Sequence, residues 1–279
     1  MNDAAAIQTA LSAVPSTLLI PLAARAHGDA LFPQVSVGDA TAAPLLGRLT
    51  NDVRPFLADR TTVYGVLVRT RIFRDLTVAF LDGHPGAVAA NLGCGLADYG
   101  QWCGSRAARW IDADLPEVIA LRDTLLPADD GRRCNVAVDL SAPGWWRALG
   151  LPEGHAAAPV ALICEGVSMY LEPAQVQAFL AEFGTHAPDG SQLLLDAMNW
   201  LAVGRAHRHR SVKHTGAQFR WGPRRIGELA AAHPRLVLQA EHPVMEGYGW
   251  PYAQLGPLFR WLFGVPFYGI AQITVREAH

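Results

Sequence analysis

Val88-Ala89-Ala90-Asn91-Leu92-Gly93-Cys94-Gly95 reads as a short apolar strand running straight into a tight glycine turn. Two glycines one residue apart take up positive φ without a Cβ clash and let the backbone come close to a ligand. Rossmann dehydrogenases, methyltransferases and ordinary tight turns all use G-x-G after a strand. The residues on either side have to decide between them.

Upstream, Gly83-His84-Pro85-Gly86 separates this strand from a helix predicted over roughly Val66–Leu81. Downstream, strands and helices alternate, the pattern of parallel βαβ units. Further strands are expected near Arg109–Asp112, Asn135–Val138, Val160–Cys164 and Gln192–Asp196, with helices near Pro116–Leu125, Gly144–Leu149 and Pro173–Thr185. The last third reads as a helix over Pro223–Ala232, a strand over Leu236–His242, a helix over Tyr252–Phe263 and a strand over Gly269–Arg276. That ending is compatible with seven strands, the last inserted antiparallel. Residues 1–60 look helical, with Leu18, Leu19, Leu22 and Ala23 at helical spacing. We therefore expect an α/β, Rossmann-like domain over 61–279, with helices on both faces of the sheet. The first sixty residues would form an N-terminal helical lid.

The 279 residues are 51% hydrophobic and 17% charged, enough for one large core. A formal charge of −2 gives no reason to expect a nucleic-acid partner. Lys213 is the sole lysine, which fits genome composition better than function. Cys94, Cys103, Cys134 and Cys164 are widely spaced with no C-x-x-C, supporting neither a disulfide framework nor a metal site. The stretch Val14–Ala26 is short and broken by Pro15, Pro21 and Arg25, so no membrane span is expected. A cytoplasmic protein, monomeric or homodimeric, is the expectation.

In a doubly wound sheet the ligand lies beyond the carboxyl ends of the strands, at the switch point. A dinucleotide fingerprint would need a third glycine or alanine at the right spacing, whereas this turn continues Leu96-Ala97-Asp98. The second strand ends in Asp112, where a carboxylate accepts ribose hydroxyls. Asp114 lies two residues on, and one of the two is expected to enter the site. The third strand ends in Asp139-Leu140, positioned for an adenine, and the fourth in Cys164-Glu165-Gly166. Acidic strand ends disfavour a pyrophosphate and suit a sulfonium cofactor that also carries an ammonium group. That charge argument points to S-adenosylmethionine. Each residue alone has a plainer reading: Asp139 or Ser141 caps a helix, Asp114 caps the helix at Pro116, and Glu165 is a solvated loop residue. Their order along the chain carries the inference.

Further segments extend the pattern: Thr17-Leu18-Leu19-Ile20-Pro21-Leu22 with Ala24-Arg25-Ala26, Gly65-Val66 with Arg69-Thr70-Arg71, and Asn91-Leu92-Gly93-Cys94-Gly95-Leu96. Asp114-Leu115-Pro116-Glu117-Val118-Ile119 with Leu121-Arg122, Glu165-Gly166-Val167-Ser168-Met169-Tyr170-Leu171, His209-Arg210-Ser211-Val212 and Phe219-Arg220-Trp221-Gly222 follow in order. With these the chain resembles the leucine carboxyl methyltransferase-like superfamily, and within it the bacterial polyketide-type O-methyltransferases, over about residues 14–225. The resemblance implies a class I methyltransferase fold and S-adenosylmethionine as cofactor. By position it implies Arg69 at the methionine carboxylate, the Gly93-Cys94-Gly95 turn along methionine and ribose, and Asp112 on the ribose hydroxyls. Asp139 and Leu140 would frame the adenine, with Glu165 facing the ammonium and Tyr170 shaping the pocket. The chain departs from the family at the turn, which usually continues G-L-D-T-R but here reads Gly95-Leu96-Ala97-Asp98-Tyr99, and at Arg74, a usual acidic position.

Residues 197–227 contain no Asp or Glu but seven Lys or Arg and three His. One reading is a cationic lid that draws in an acidic acceptor; for most of these arginines a solvated basic loop is the better one. His209 is the candidate catalytic base, with an orienting or packing role as its alternative. The aromatic-rich end from Tyr248 to Tyr268 is expected to be mostly core, with one or two residues at the pocket. The acceptor expected is a small molecule, acidic or aromatic, methylated at a hydroxyl or a carboxylate. The alternatives are protein carboxyl methylation and a non-catalytic, cofactor-binding member of a biosynthetic complex.

Overall fold

The computed structural model describes residue 12, residues 15–128 and residues 131–276. Seven strands form one sheet: β1 (Val88–Leu92), β2 (Arg109–Asp114), β3 (Arg133–Ala137), β4 (Val160–Cys164), β5 (Gln192–Met198), β6 (Leu236–Pro243) and β7 (Tyr268–Val275). Their order is β3-β2-β1-β4-β5-β7-β6, with β1 to β5 mutually parallel and β7 antiparallel to both its neighbours. The chain leaves β1 toward β2 on one side and comes back to β4 on the other. The switch point therefore falls at the carboxyl end of β1, where the glycine turn begins.

The central strand β4 is apolar throughout because both of its faces are covered. Leu162 and Cys164 of β4 join Trp145, Trp146, Phe179 and Phe183 on one face, while Ala161 and Ile163 join Phe73, Phe80 and Tyr99 on the other. Nine α-helices are found among the described residues: α1 (Leu19–Leu31), α2 (Ala42–Gly47), α3 (Arg54–Leu57), α4 (Arg60–Gly83), α5 (Gly100–Cys103), α6 (Pro116–Leu125), α7 (Trp145–Ala148), α8 (Pro173–His186) and α9 (Tyr252–Phe263). α4 begins six residues before the expected start. Asp59 caps it, accepting the Thr62 N–H at 3.3 Å and the Thr62 hydroxyl at 2.7 Å, so a polar first turn precedes the apolar stripe. α8 opens with Pro173 behind a capping box formed by Glu172 and Gln175. The helix expected over Pro223–Ala232 is a 3-10 segment over Ile226–Ala232 instead, closed by Pro234.

The N-terminal helices pack over the carboxyl ends of the strands. Leu18, Leu19, Leu22 and Ala23 share a core with Leu96, Val118, Met169 and Phe219. Arg25 of α1 is buried in an ion pair with Asp39 at 2.9 Å and donates to the Leu96 carbonyl at 3.4 Å, which ties these helices to the glycine turn. Except for Ser12, the part of the expected lid before residue 15 lies outside the described residues. Among the described residues no helix is long and apolar enough to cross a membrane. The four cysteines are unpaired, and no group of three or more described His, Cys, Asp or Glu could hold a metal.

Candidate active site

A cavity of about 680 Å³ opens at the switch point. Its floor is the turn after β1. Gly93 (φ 67°) and Gly95 (φ 51°) both lie in the left-handed region. A Cβ built on Gly93 would sit 2.2 Å from the Val167 side chain, so only glycine fits there. The turn departing from the family's pattern is well braced. Arg122 donates to the Gly95 and Ala97 carbonyls at 3.1 and 2.9 Å, Asp98 pairs with Arg133 at 2.6 Å, and the Tyr99 hydroxyl donates to Glu165 at 2.5 Å. Asp98 and Tyr99 thus hold the loop with partners of their own.

Arg69, Gly93, Cys94, Gly95, Asp139, Leu140, Glu165, Tyr170 and His209 all line the cavity. Asp112 does not, and this corrects the expectation for the second strand. It is 2% exposed, paired with Arg122 at 2.8 Å and bonded by Asn91 at 3.3 Å. Asp114 lines the cavity instead, accepting the Gly95 and Leu115 N–H groups at 2.7 Å each. Residues two apart share a face of a strand, so facing does not separate the two carboxylates. Depth does: Asp112 lies level with Asn91 and Asn135 inside the sheet, while Asp114 is the last residue of β2.

Arg69 reaches from α4 to the ends of β4, β5 and β7. It donates to Glu165 at 2.7 Å, to Asp196 at 3.3 Å and to the Tyr268 hydroxyl at 2.6 Å, and that hydroxyl donates in turn to Asp196. Asp196 also accepts the Gly166 N–H at 2.7 Å. Burial opposes a charge on Arg69, but the oxygens of Tyr268, Glu165 and Asp196 outweigh it and hold the guanidinium well above its ordinary pKa. An opposed cation and anion therefore stand side by side on one wall. Sequence reasoning missed Asp196, Tyr268 and Tyr99, although Asp196 ended the expected fifth strand. Asp139 accepts from the Ser141 N–H and hydroxyl at 2.9 and 2.6 Å, so it caps a turn and lines the cavity at once. Burial pushes the Cys94 thiol well above its ordinary pKa, making it a packing group.

The other end of the cavity is more apolar, with Val66, Met198, Val212, Phe219, Met245, Tyr252 and Phe267 in its wall. Of the basic side chains in 197–227, only His209 and Arg220 line it among the described residues, and Arg220 pairs with Glu172 at 2.7 Å. The other basic side chains of that segment are exposed. Three residues of the aromatic-rich end (Tyr252, Phe267 and Tyr268) reach the cavity, while Trp250 and Trp261 face solvent. His209 packs edge-on to Phe219, and its Nδ1 accepts the Val212 N–H at 3.3 Å. Burial lowers its pKa below 6.5, outweighing the opposing pull of the Asp59 carboxylate, and the positive charge of Arg69 adds a smaller lowering. Burial pushes the Tyr170 hydroxyl up to about 12.

The leucine carboxyl methyltransferase family model matches residues 8–184. The chain belongs to the leucine carboxyl methyltransferase family. This member is 31% identical over 278 residues to the tetracenomycin polyketide synthesis O-methyltransferase TcmP of Streptomyces glaucescens, an alignment covering 96% of this chain and 95% of TcmP. Among solved structures, a Thermobifida fusca YX protein described as a methyltransferase matches with a TM-score of 0.53 and 18% identity, over 91% of this chain and 94% of that one. The 1,6-didemethyltoxoflavin-N1-methyltransferase of Burkholderia thailandensis, solved with S-adenosylhomocysteine, matches with a TM-score of 0.46 and 16% identity, over 74% of this chain and 78% of that one. The family member described here is an S-adenosylmethionine-dependent methyltransferase with the Rossmann-like fold of class I.

Proposed function

We propose that the protein methylates an oxygen of a small natural product, an aromatic or polyketide-like acid, with S-adenosylmethionine as donor. One observation carries this reading: a single cavity joins the glycine turn and its acidic strand ends to an apolar chamber. The residues at the first end fit the cofactor. The Gly93 cradle excludes a Cβ, the Asp114 carboxylate stands where ribose hydroxyls would donate, and the Arg69–Glu165 pair matches the carboxylate and ammonium of an amino acid. Asp139 and Leu140 would border the adenine. When bound, S-adenosylmethionine supplies an electrophilic methyl group on a cationic sulfur.

The chain's own part is alignment and exclusion of water, which provide much of the rate of an in-line displacement. Leu18, Pro21 and Arg25 roof the cavity from the N-terminal helices. Because His209 Nδ1 accepts a backbone N–H, the neutral ring carries its proton on Nε2. In that tautomer it donates a hydrogen bond to an acceptor oxygen and does not remove its proton. The orienting role for His209 is thus favoured over the base role. A site without a base suits an oxygen that arrives ionised. A carboxylate meets that condition at neutral pH; a phenol, with a reference pKa near ~10, does so only when its own ring acidifies it.

The test is incubation of the protein with S-adenosylmethionine and matched aromatic acceptors bearing a free carboxylate, a free phenol, or neither. Methyl ester or ether formation on the first two supports the reading. Cofactor binding without transfer to either class would contradict it.

A further inference from the structure

The aromatic-rich end holds a feature the cavity does not use. Trp250 is 79% exposed and Trp261 80%, and Leu255, Leu258 and Leu262 on α9 are each exposed by about half. Leu255, Leu258 and Leu262 recur at three- and four-residue spacing, with Trp261 alongside, so they share one stripe of the helix. An amphipathic helix normally turns such a stripe to the core. Here α9 meets the protein through Tyr252, the buried Gly256 and Phe259, whose ring stacks on Phe267 at 4.0 Å, and the stripe faces outward.

A contiguous apolar patch of more than a few hundred Å² is rare on a monomer. At on the order of 100–200 Å² per side chain, this one reaches about 800 Å², one partner's share of a standard interface. Its charge pattern selects the partner. Arg260 is the only ionisable charge on α9, and Glu241 pairs with it. An anionic membrane surface calls for cations along the stripe itself; α9 supplies only Arg260, which Glu241 neutralises, and Arg224 and Arg225 lie past its C-terminal end beside Gly264. An uncharged stripe on a single helix can pack against its own copy about a twofold axis, burying the same residues on both sides.

We propose that the outward face of α9, with Trp250, is the twofold contact of a homodimer. The contact is independent of the acceptor's identity. It backs onto the cavity, because Tyr252 of α9 and Phe267 beneath it both line the acceptor wall.

Sedimentation equilibrium on the full chain tests this. At tens of micromolar the wild type should show twice the chain mass, and Leu258→Glu with Trp261→Ser should return it to the single mass. S-adenosylhomocysteine binding and the far-ultraviolet circular dichroism should stay unchanged. If the double variant does not fold, Leu258→Cys in an otherwise wild-type chain should give a covalent dimer with a short bismaleimide, above any background from the wild type. A monomeric wild type, a dimer that survives the double variant intact, or a Leu258→Cys chain that does not cross-link would overturn the proposal. So would a monomer that pellets with anionic phosphatidylserine vesicles.

Discussion

At the residue scale the two carboxylates of β2 separate cleanly. Asp112 compensates the wholly buried Arg122, so Asp112→Ala should cost about 3–5 kcal/mol of stability by stranding that charge. Urea unfolding reads this directly. Asp114→Asn should cost about 1–3 kcal/mol, since one of the two backbone N–H groups its oxygens accept is left facing an amide NH2, and should weaken S-adenosylhomocysteine binding about tenfold as a charge-assisted acceptor becomes neutral. Equal binding losses in the two variants, with no stability loss at Asp112, would reverse the assignment. His209 separates in the same way. As a donor it should be replaced by Gln to within about fivefold in kcat, whereas Ala loses about tenfold or more. As a base it would lose about 10²-fold or more in both variants, along with the acid limb of the pH–rate profile.

Elements were legible where periodicity and punctuation agreed. β1, β4, α6 and α9 match the sequence reading residue for residue, because each is an apolar run or stripe bounded by Gly, Pro or a polar turn. The misses have physical causes. α4 starts early because its first turn is polar and held by the Asp59 cap, which hydrophobic periodicity does not register. Asp112 stands in for Asp114 in the sequence reading because a strand end has no sharp signal, and a two-residue extension of β2 changes which carboxylate reaches the rim. The network of Arg69, Asp196 and Tyr268 joins positions 127 and 72 residues apart, a proximity that only the sheet order creates. Within the glycine turn, Gly93→Ala should impair both folding and cofactor binding. It combines a positive φ with a Cβ that meets Val167, and the strain alone costs about 1–3 kcal/mol. Thermal unfolding with and without S-adenosylhomocysteine checks this; an unchanged midpoint in both would contradict the cradle.

At the scale of the whole molecule, the helical roof, the basic loop and the sheet rim converge on one cavity, so stability and site chemistry share groups. Asp59 caps α4, accepts the Ser211 hydroxyl at 2.9 Å and faces His209, linking the roof to the loop. Because the folded state lowers the His209 pKa, the unfolded chain binds a proton that the folded chain does not between that lowered value and 6.5. Stability should therefore rise with pH across that window and level off above it. His209→Gln should flatten part of the rise in urea midpoints measured between mildly acidic and neutral pH. An identical slope in the variant would show that the ring is not held neutral.

The central claim is that the cavity at the end of β1 holds S-adenosylmethionine and is gripped by Asp114 and by the pair Arg69–Glu165. Isothermal titration of S-adenosylhomocysteine into the folded wild type, Asp114→Asn and Glu165→Gln tests it most directly. We expect one site per chain, with affinity falling about tenfold in each variant as a charged acceptor is lost. Absence of binding by well-folded wild-type protein, or equal affinity in all three, would contradict the account.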